Sequence, residues 1–312
     1  MVRAQDDLPP SVRLREVGPR DGFQNEPEVI STAEKLRIIE LLGATGVKRL
    51  ELTSFVRADV IPQLADAAQV LAAADLPSDV QRSVIVPNPR GLQLALQMRE
   101  QIDQVTVFLS ASEAHNRHNV NRSVAESLRG LEQMLPRIRA AGLRAGAAIS
   151  TSFGCPYEGA VAPERVLSLA RALADAGAQE LVFGDTTGMA NPIQVRDFFN
   201  AARDTISRDF ELTAHFHNTR GQGLANVLAA LQSGCESFES SFGELGGCPV
   251  PPGATGNIAT EDLVSMLHEM NVQTGVSLPA LLDAAREMQR MLGRALPSHV
   301  LVAGPVDWSP GR

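Results

Sequence analysis

Lysine is nearly absent from this chain. Of 28 basic side chains, only Lys35 and Lys48 are lysines. Cysteine is scarce as well. Cys155, Cys235 and Cys248 are too few for a disulfide framework, so a reduced, cytoplasmic protein is expected. There is no excess of positive charge: 36 acidic residues outnumber the 28 basic ones for a net charge of −8. That balance argues against a nucleic-acid partner, because phosphate contacts need a basic surface. No apolar run approaches the ~20 residues of a spanning helix, and the start MVRAQDDLPPSVR lacks the apolar stretch of a secretory leader, so no membrane partner is expected. No Gly-x-Gly-x-x-Gly opens the first helix, which removes the usual dinucleotide fingerprint.

What is present is a regular alternation. Short β-rich runs at 12–18, 49–55, 80–86, 104–110, 144–151, 180–185, 211–217 and 235–242 are each followed by a helical or loop segment. Ser31 with Glu34 and Ser123 with Glu126 have the spacing of capping boxes, and Pro163 and Pro192 stand near two further helix starts. Eight strands with intervening helices over ~250 residues predict an α/β fold of the (β/α)8 TIM-barrel type. A doubly wound open sheet is the alternative. The 312 residues, 44% hydrophobic, read as one domain. Its barrel spans about 12–270, and a C-terminal helical extension (a helix near 279–294 and a tail) occupies about 275–312.

In a barrel, residues at the C-terminal ends of the strands face the active site. That rule selects Arg20 and Asp21 after strand 1, Glu51 on strand 2, Asp185 and Thr186 at the end of strand 6, and His215, His217 and Asn218 on and after strand 7. After strand 8 comes a glycine-rich loop with Cys248 and Asn257. His215 and His217, two apart on a strand, share a face. They fit either a metal site or two hydrogen-bonded imidazoles in a polar barrel mouth. Asp21 and Asn257 could add oxygen ligands, and such a mixed set with room for water suits Mg²⁺ or Mn²⁺, with zinc or cobalt as the alternatives. Arg20 can hold an anionic oxygen, or it can form a structural ion pair with Glu16 or Glu51. Cys248 is either a thiol delivered by a mobile loop or a small packing residue, and Cys155 and Cys235 read as packing residues. Lys35 lies within the first helix and Lys48 precedes strand 2 at the far end of the barrel. Neither reaches the site, so Schiff-base chemistry is excluded and carbonyl chemistry here needs a metal.

The segments EVGPRDGFQNE (16–26), ELTSFV (51–56), VPN (86–88), GCPYEG (154–159), GDTTG (184–188), HFHNTRGQGLAN (215–226) and LGGCP with GATGNIATEDLV (245–264) occur in order. With them, the sequence resembles the 3-hydroxy-3-methylglutaryl-CoA lyase family of metal-dependent TIM-barrel lyases from about residue 12 to 295. The resemblance implies a divalent cation on Asp21, His215, His217 and Asn257, and an acyl-CoA substrate. It implies that Arg20 stabilises the enolate of a retro-aldol cleavage, that Cys248 is a general acid/base, and that His215 takes part in proton transfer. Glu51 and Asp185 match positions lining or supporting the site, and Arg20, Thr186, Ala148 and Asn218 are expected against substrate. Four departures bear on the substrate. Asn218 stands where the family usually has Asp, Ala148 where it often has Tyr, Glu244 where a small residue is usual, and Val250-Pro251 replaces an aromatic–Ala pair. They keep citramalyl-CoA, or a longer branched 3-hydroxyglutaryl-CoA, open as the acyl substrate. An acetyl-CoA-dependent synthase and a non-catalytic barrel are the further alternatives. Arg117 and Arg122 are candidates for the CoA phosphates, and the apolar stretch 263–291 for a homodimer or higher homo-oligomer contact.

Overall fold

Eight short strands close into a parallel barrel in sequence order: β1 (Arg13–Glu16), β2 (Arg49–Ser54), β3 (Gln81–Val86), β4 (Gln104–Ser110), β5 (Arg144–Ser150), β6 (Glu180–Asp185), β7 (Glu211–Phe216) and β8 (Ser237–Ser240). The computed structural model describes residues 8–207, 210–246 and 256–308. The (β/α)8 expectation holds, and the open-sheet alternative does not, because β1 pairs with both β2 and β8. Both capping boxes form. The Ser31 and Ser123 hydroxyls accept from the backbone N–H of Glu34 and Glu126, whose carboxylates reach back. Pro163 and Pro192 each open a helix. No helix among the described residues is long and apolar enough to cross a membrane.

Most strands end within one or two residues of the sequence reading, and three departures are notable. The first strand ends at Glu16, short of 18, and the last spans 237–240 within the expected 235–242. His217 lies just past β7, in an isolated bridge to Asn257. The first departure has a local cause. Glu16 turns its carboxylate onto the Gly18 N–H at 2.7 Å, and the chain coils tightly over Gly18–Gly22. Gly18 is required there because a Cβ would stand 2.5 Å from the Phe242 ring. Past the barrel, the helix Leu278–Leu292 packs on the first helix, Thr32–Gly43, and a short helix follows at His299–Ala303.

The barrel interior is polar at two levels. At the N-terminal ends of the strands, Glu211 of β7 accepts from Arg13 (3.0 Å), Arg144 (2.6 Å) and Arg49. Above it, Arg15 bridges Glu180 and Glu239, at 2.7 Å each, with all three side chains buried. Thr213 donates to Glu180 at 2.6 Å, and Gln104 donates to it as well. Removing one member of such a set leaves an uncompensated buried charge, which costs about 3–5 kcal/mol. This layer is the rigid base on which the C-terminal mouth is built.

Candidate active site

The C-terminal mouth holds a cavity of about 310 Å³ whose lining includes Arg20, Asp21, Glu51, Ala148, Thr186, His215 and His217. Arg20 donates from Nε to Glu51 Oε1 and from Nη1 to Asp21 Oδ1, both at 2.5 Å. The ion pair with Glu51 foreseen in the sequence therefore forms, and Glu16 is not its partner. Among the described residues Arg20 Nη2 has no hydrogen-bond partner. Asp21 also accepts from Gln24 Nε2 at 2.8 Å and from Asn257 Nδ2 at 2.7 Å. Burial pushes its pKa up, but Arg20, His215 and His217 outweigh that and hold the carboxyl well below the usual carboxylate range. It is ionised at every relevant pH.

The two imidazoles meet edge to edge, with His215 Nε2 3.1 Å from His217 Nε2. The other ring nitrogen of His215, Nδ1, is bonded to Glu239 Oε2 at 2.9 Å. Burial favours neutral His215, but the bond to Glu239 and its charge prevail and raise the pKa. Burial and the neighbouring His215 push His217 down to about 3, so it is neutral and has a lone pair to offer. One ligand atom from each of Asp21, His215 and His217 lies within 4.8 Å of the others. Two ligands at right angles around an octahedral cation with ~2.1 Å bonds stand about 3.0 Å apart, which matches the imidazole separation. Asn257 Oδ1 beside them is buried without a hydrogen-bond partner, and such an atom carries a desolvation cost that a cation would offset. The donor set, one carboxylate, two imidazoles and an amide oxygen, fits a divalent metal ion. The other acid–histidine group, Glu244, Asp262 and His299, is otherwise engaged: Asp262 accepts from the backbone N–H of His299 and Val300.

The remaining candidates sit around this centre. Thr186 lines the cavity and accepts from the Thr151 N–H at 2.9 Å. Asp185 accepts from the Met189 and Ala190 N–H groups, and burial raises its pKa to about 6. It shapes the loop after β6. Asn218 stands off the cavity, bonded to Glu244 at 3.4 Å and accepting from the Gly223 N–H. Cys248 and Val250-Pro251 lie outside the described residues. Cys155 and Cys235 are buried packing residues. Lys35 is bound to Asp66 and Lys48 to Asp79, away from the mouth. Arg117 pairs with Glu113 on an exposed face, while Arg122 lines a second cavity beside the first. Sequence reasoning missed Glu239, Gln24 and Arg15. Glu239 was visible only as a charge inside a strand. Its partners follow from register, with Arg15 opposite it on β1 and His215 opposite it on β7.

Residues 11–288 match the family model described as HMGL-like. The chain belongs to the HMGL-like family. It is 46% identical over 293 residues to a hydroxymethylglutaryl-CoA lyase of Bacillus subtilis, covering 94% of this chain and 97% of the relative. It is 43% identical to an (R)-citramalyl-CoA lyase of Chloroflexus aurantiacus, with 95% and 96% covered. A solved HMG-CoA lyase from Acinetobacter baumannii, in complex with coenzyme A and 3-methylmalate, superposes with a TM-score of 0.91 at 36% identity and covers 99% of each chain.

In this HMGL-like chain the root of the glycine-rich loop is held by two buried carboxyls. Glu16 accepts from the Phe242 N–H at 3.1 Å and from Thr260 Oγ1 at 2.6 Å, and Glu261 receives the Gly243 N–H on both oxygens at 2.8 and 2.9 Å. Gly256 closes the loop, since a Cβ there would stand 1.9 Å from the Glu244 carbonyl. Burial raises Glu16 to about 7 and Glu261 to about 8. Their folded pKa values exceed the ordinary 4.5, so the stability they contribute is complete below pH 4.5 and is lost as pH rises through 7 and 8. Glu261→Gln, neutral at all pH, is expected to flatten the decline of Tm between pH 5 and 8.5. Thermal melts across that range check it, and parallel wild-type and variant curves would remove Glu261 as the cause.

Proposed function

We propose that the chain catalyses the cation-dependent cleavage of 3-hydroxy-3-methylglutaryl-CoA to acetyl-CoA and acetoacetate. The observation that carries this reading is the Asp21–His215–His217 cluster sharing one cavity with the Arg20 guanidinium. The relatives named hydroxymethylglutaryl-CoA lyase support the choice of substrate.

A divalent cation, Mg²⁺ or Mn²⁺, held by Asp21, His215, His217 and Asn257 would polarise the oxygens of the substrate. The chain's own residues do the rest. The 3-hydroxyl proton passes to a base, and the family resemblance supports a part for His215 in that transfer. The C2–C3 electron pair moves onto the thioester, releasing acetoacetate and leaving the enolate of acetyl-CoA. Arg20 meets the charge that appears only at this stage, so its contribution is to the transition state rather than to binding. Glu51 and Asp21 fix the guanidinium plane. Cys248, on the loop rooted by Glu16 and Glu261, is the acid that protonates the enolate carbon. Thr186 contacts the substrate, Asp185 supports the rim, and Asn218 acts through Glu244. Arg122 is the better placed of the two arginines for CoA phosphates. A cytoplasmic location and a homo-oligomeric state complete the proposal.

A second reading, cleavage of citramalyl-CoA to pyruvate and acetyl-CoA, is favoured by the Chloroflexus relative and by the small side chain at Ala148. One assay separates the two. With Mg²⁺ or Mn²⁺ present, acetoacetate from 3-hydroxy-3-methylglutaryl-CoA is expected in clear excess over pyruvate from citramalyl-CoA. Pyruvate in excess would replace the first reading with the second, and neither product would remove both.

A further inference from the structure

The mouth of the barrel is divided by charge. Arg20 and Asp21 follow β1, Glu51 is on β2, His215 is on β7 and Glu239 is on β8. On the arc from β4 to β6 no ionised side chain lines the cavity, yet polar groups do. His115 is on the helix Glu113–Val120 after β4, Ser150 ends β5, and Thr186 follows β6.

His115 is buried, and its ring is tied to the end of β4 by Ser110 Oγ, 2.5 Å from Nδ1. Ser110 is fully buried, and its hydroxyl has no other partner among the described residues. A buried donor left without an acceptor is rarer and costlier than an unused lone pair, so Ser110 donates, Nδ1 accepts, and the ring proton is on Nε2. Burial, and then the neighbouring His118, lower the His115 pKa, so the ring is neutral at pH 7. Its helix is pinned as well. Ser112 Oγ accepts the His115 N–H at 3.1 Å, and Asn116 Oδ1 accepts the Ser110 N–H at 3.0 Å. Ser110 is opposite Ser150 in register, which puts His115 and Ser150 at one level of the mouth. Thr186 Oγ1 accepts the Thr151 N–H at 2.9 Å and keeps its own proton to give. None of these three protons has an acceptor among the described residues. The carboxylates of the cavity are on the other arc and are engaged there, Asp21 and Glu51 with Arg20, and Glu239 with Arg15 and His215.

Donors gathered without an acceptor suit an anionic oxygen brought by a ligand, because a charged acceptor makes the bond roughly twice as strong. In the proposed reaction the thioester oxygen goes to Arg20 and the 3-hydroxyl to the cation, so the polar group of the acyl chain still to be placed is its carboxylate. We infer that His115 binds the acyl carboxylate of the substrate through Nε2–H, with the Ser150 and Thr186 hydroxyls beside it. The inference rests on the proposed lyase reaction and adds a substrate-binding residue to it. The carboxylate keeps its charge from substrate to transition state, so this bond serves binding rather than the chemical step.

Two unreactive esters test it. Glutaryl-CoA has the carboxylate but no 3-hydroxyl, and butyryl-CoA is the same acyl chain without the carboxylate. Calorimetric titration of the full-length protein with Mn²⁺ is expected to show glutaryl-CoA bound the more tightly. His115→Phe keeps a ring and removes the donor. It is expected to lower the ratio of butyryl-CoA Kd to glutaryl-CoA Kd at least about tenfold, as befits a hydrogen bond to a charged group. A variant that only disturbed the mouth would weaken both esters and leave the ratio alone. His115→Gln keeps an N–H and is expected to recover part of the ratio. With 3-hydroxy-3-methylglutaryl-CoA, His115→Phe is expected to raise KM while kcat changes little. If the Phe variant does not fold, His115→Phe combined with Ser110→Ala removes the buried hydroxyl along with its partner and takes its place. Equal wild-type affinity for the two esters, or a ratio within about threefold of wild type in the folded variant, would overturn the inference and leave the lyase reading standing. A wild type that neither binds these esters nor cleaves 3-hydroxy-3-methylglutaryl-CoA would remove the lyase reading and this inference with it.

Discussion

Arg20→Met is expected to lower kcat by about 1,000-fold while KM moves little. The charge that Arg20 meets is absent from the ground-state substrate and forms as the C2–C3 bond breaks, so the loss belongs to the transition state. Single donors aimed at a developing oxyanion are worth about 100–1,000-fold, and Arg20 brings a full charge in a buried site. About 1,000-fold corresponds to ~4 kcal/mol. A second loss accompanies the first. Glu51 and Asp21 both rely on the guanidinium, at 2.5 Å each, and burial already pushes the Glu51 pKa up. With Arg20 gone the Glu51 pKa rises further, and Asp21 loses one of its three donors. Arg20→Lys separates the two effects. An ammonium keeps the charge but cannot serve Glu51, Asp21 and a substrate oxygen from one rigid plane, so partial recovery of kcat is expected. Steady-state kinetics at saturating Mn²⁺, with circular dichroism to confirm folding, decide it. A folded Arg20→Met enzyme within fivefold of wild-type kcat would end the enolate role.

The mouth was legible in the sequence because barrel chemistry sits where strands end. The rule that selected Arg20, Asp21, Glu51, Thr186 and His215 needs only an approximate strand end, and all five line the cavity. The layer below was not legible. Arg15, Glu180 and Glu239 come from β1, β6 and β8, and nothing local marks an Arg and two Glu as partners across more than 160 residues. Their meeting is a consequence of barrel closure, which brings β8 against β1. His217 shows the limit of periodicity in another way. The i, i+2 rule places it on the face of His215, and the rings do meet, yet β7 ends at Phe216. What holds His217 on that face is the bridge to Asn257, returning from the loop after β8. Asn218 stands off the cavity for the same reason: one position past the bridge, its side chain has turned toward Glu244. Glu244 itself sits in left-handed backbone, φ +59°, a conformation rarely adopted outside glycine, and no pattern in the sequence announces it.

His217→Ala is the sharper test of the centre, because it separates holding the cation from everything else. His217 forms no ion pair, and its Nδ1 is buried without a partner among the described residues. A structural histidine in that position would be a poor choice, since a buried ring nitrogen without a bond is destabilising. A cation shared by Nε2, 3.1 Å from His215 Nε2, would offset that cost although it leaves Nδ1 unsatisfied. Removing the imidazole is therefore expected to weaken Mn²⁺ binding by at least about 100-fold, beyond the 10–100-fold typical of losing a partner that only orients a ligand. Glu239→Gln is such an orienting change, because Glu239 holds His215 Nδ1 at 2.9 Å, and its loss is expected to fall inside that range. Calorimetric titration with Mn²⁺ measures both without any turnover, and the folded fraction is read from thermal melts. The order of the two variants carries the argument. A ligand must cost more than its orienter, so His217→Ala binding Mn²⁺ as tightly as Glu239→Gln would make His217 a wall residue and leave Asp21, His215 and Asn257 to hold the cation with water.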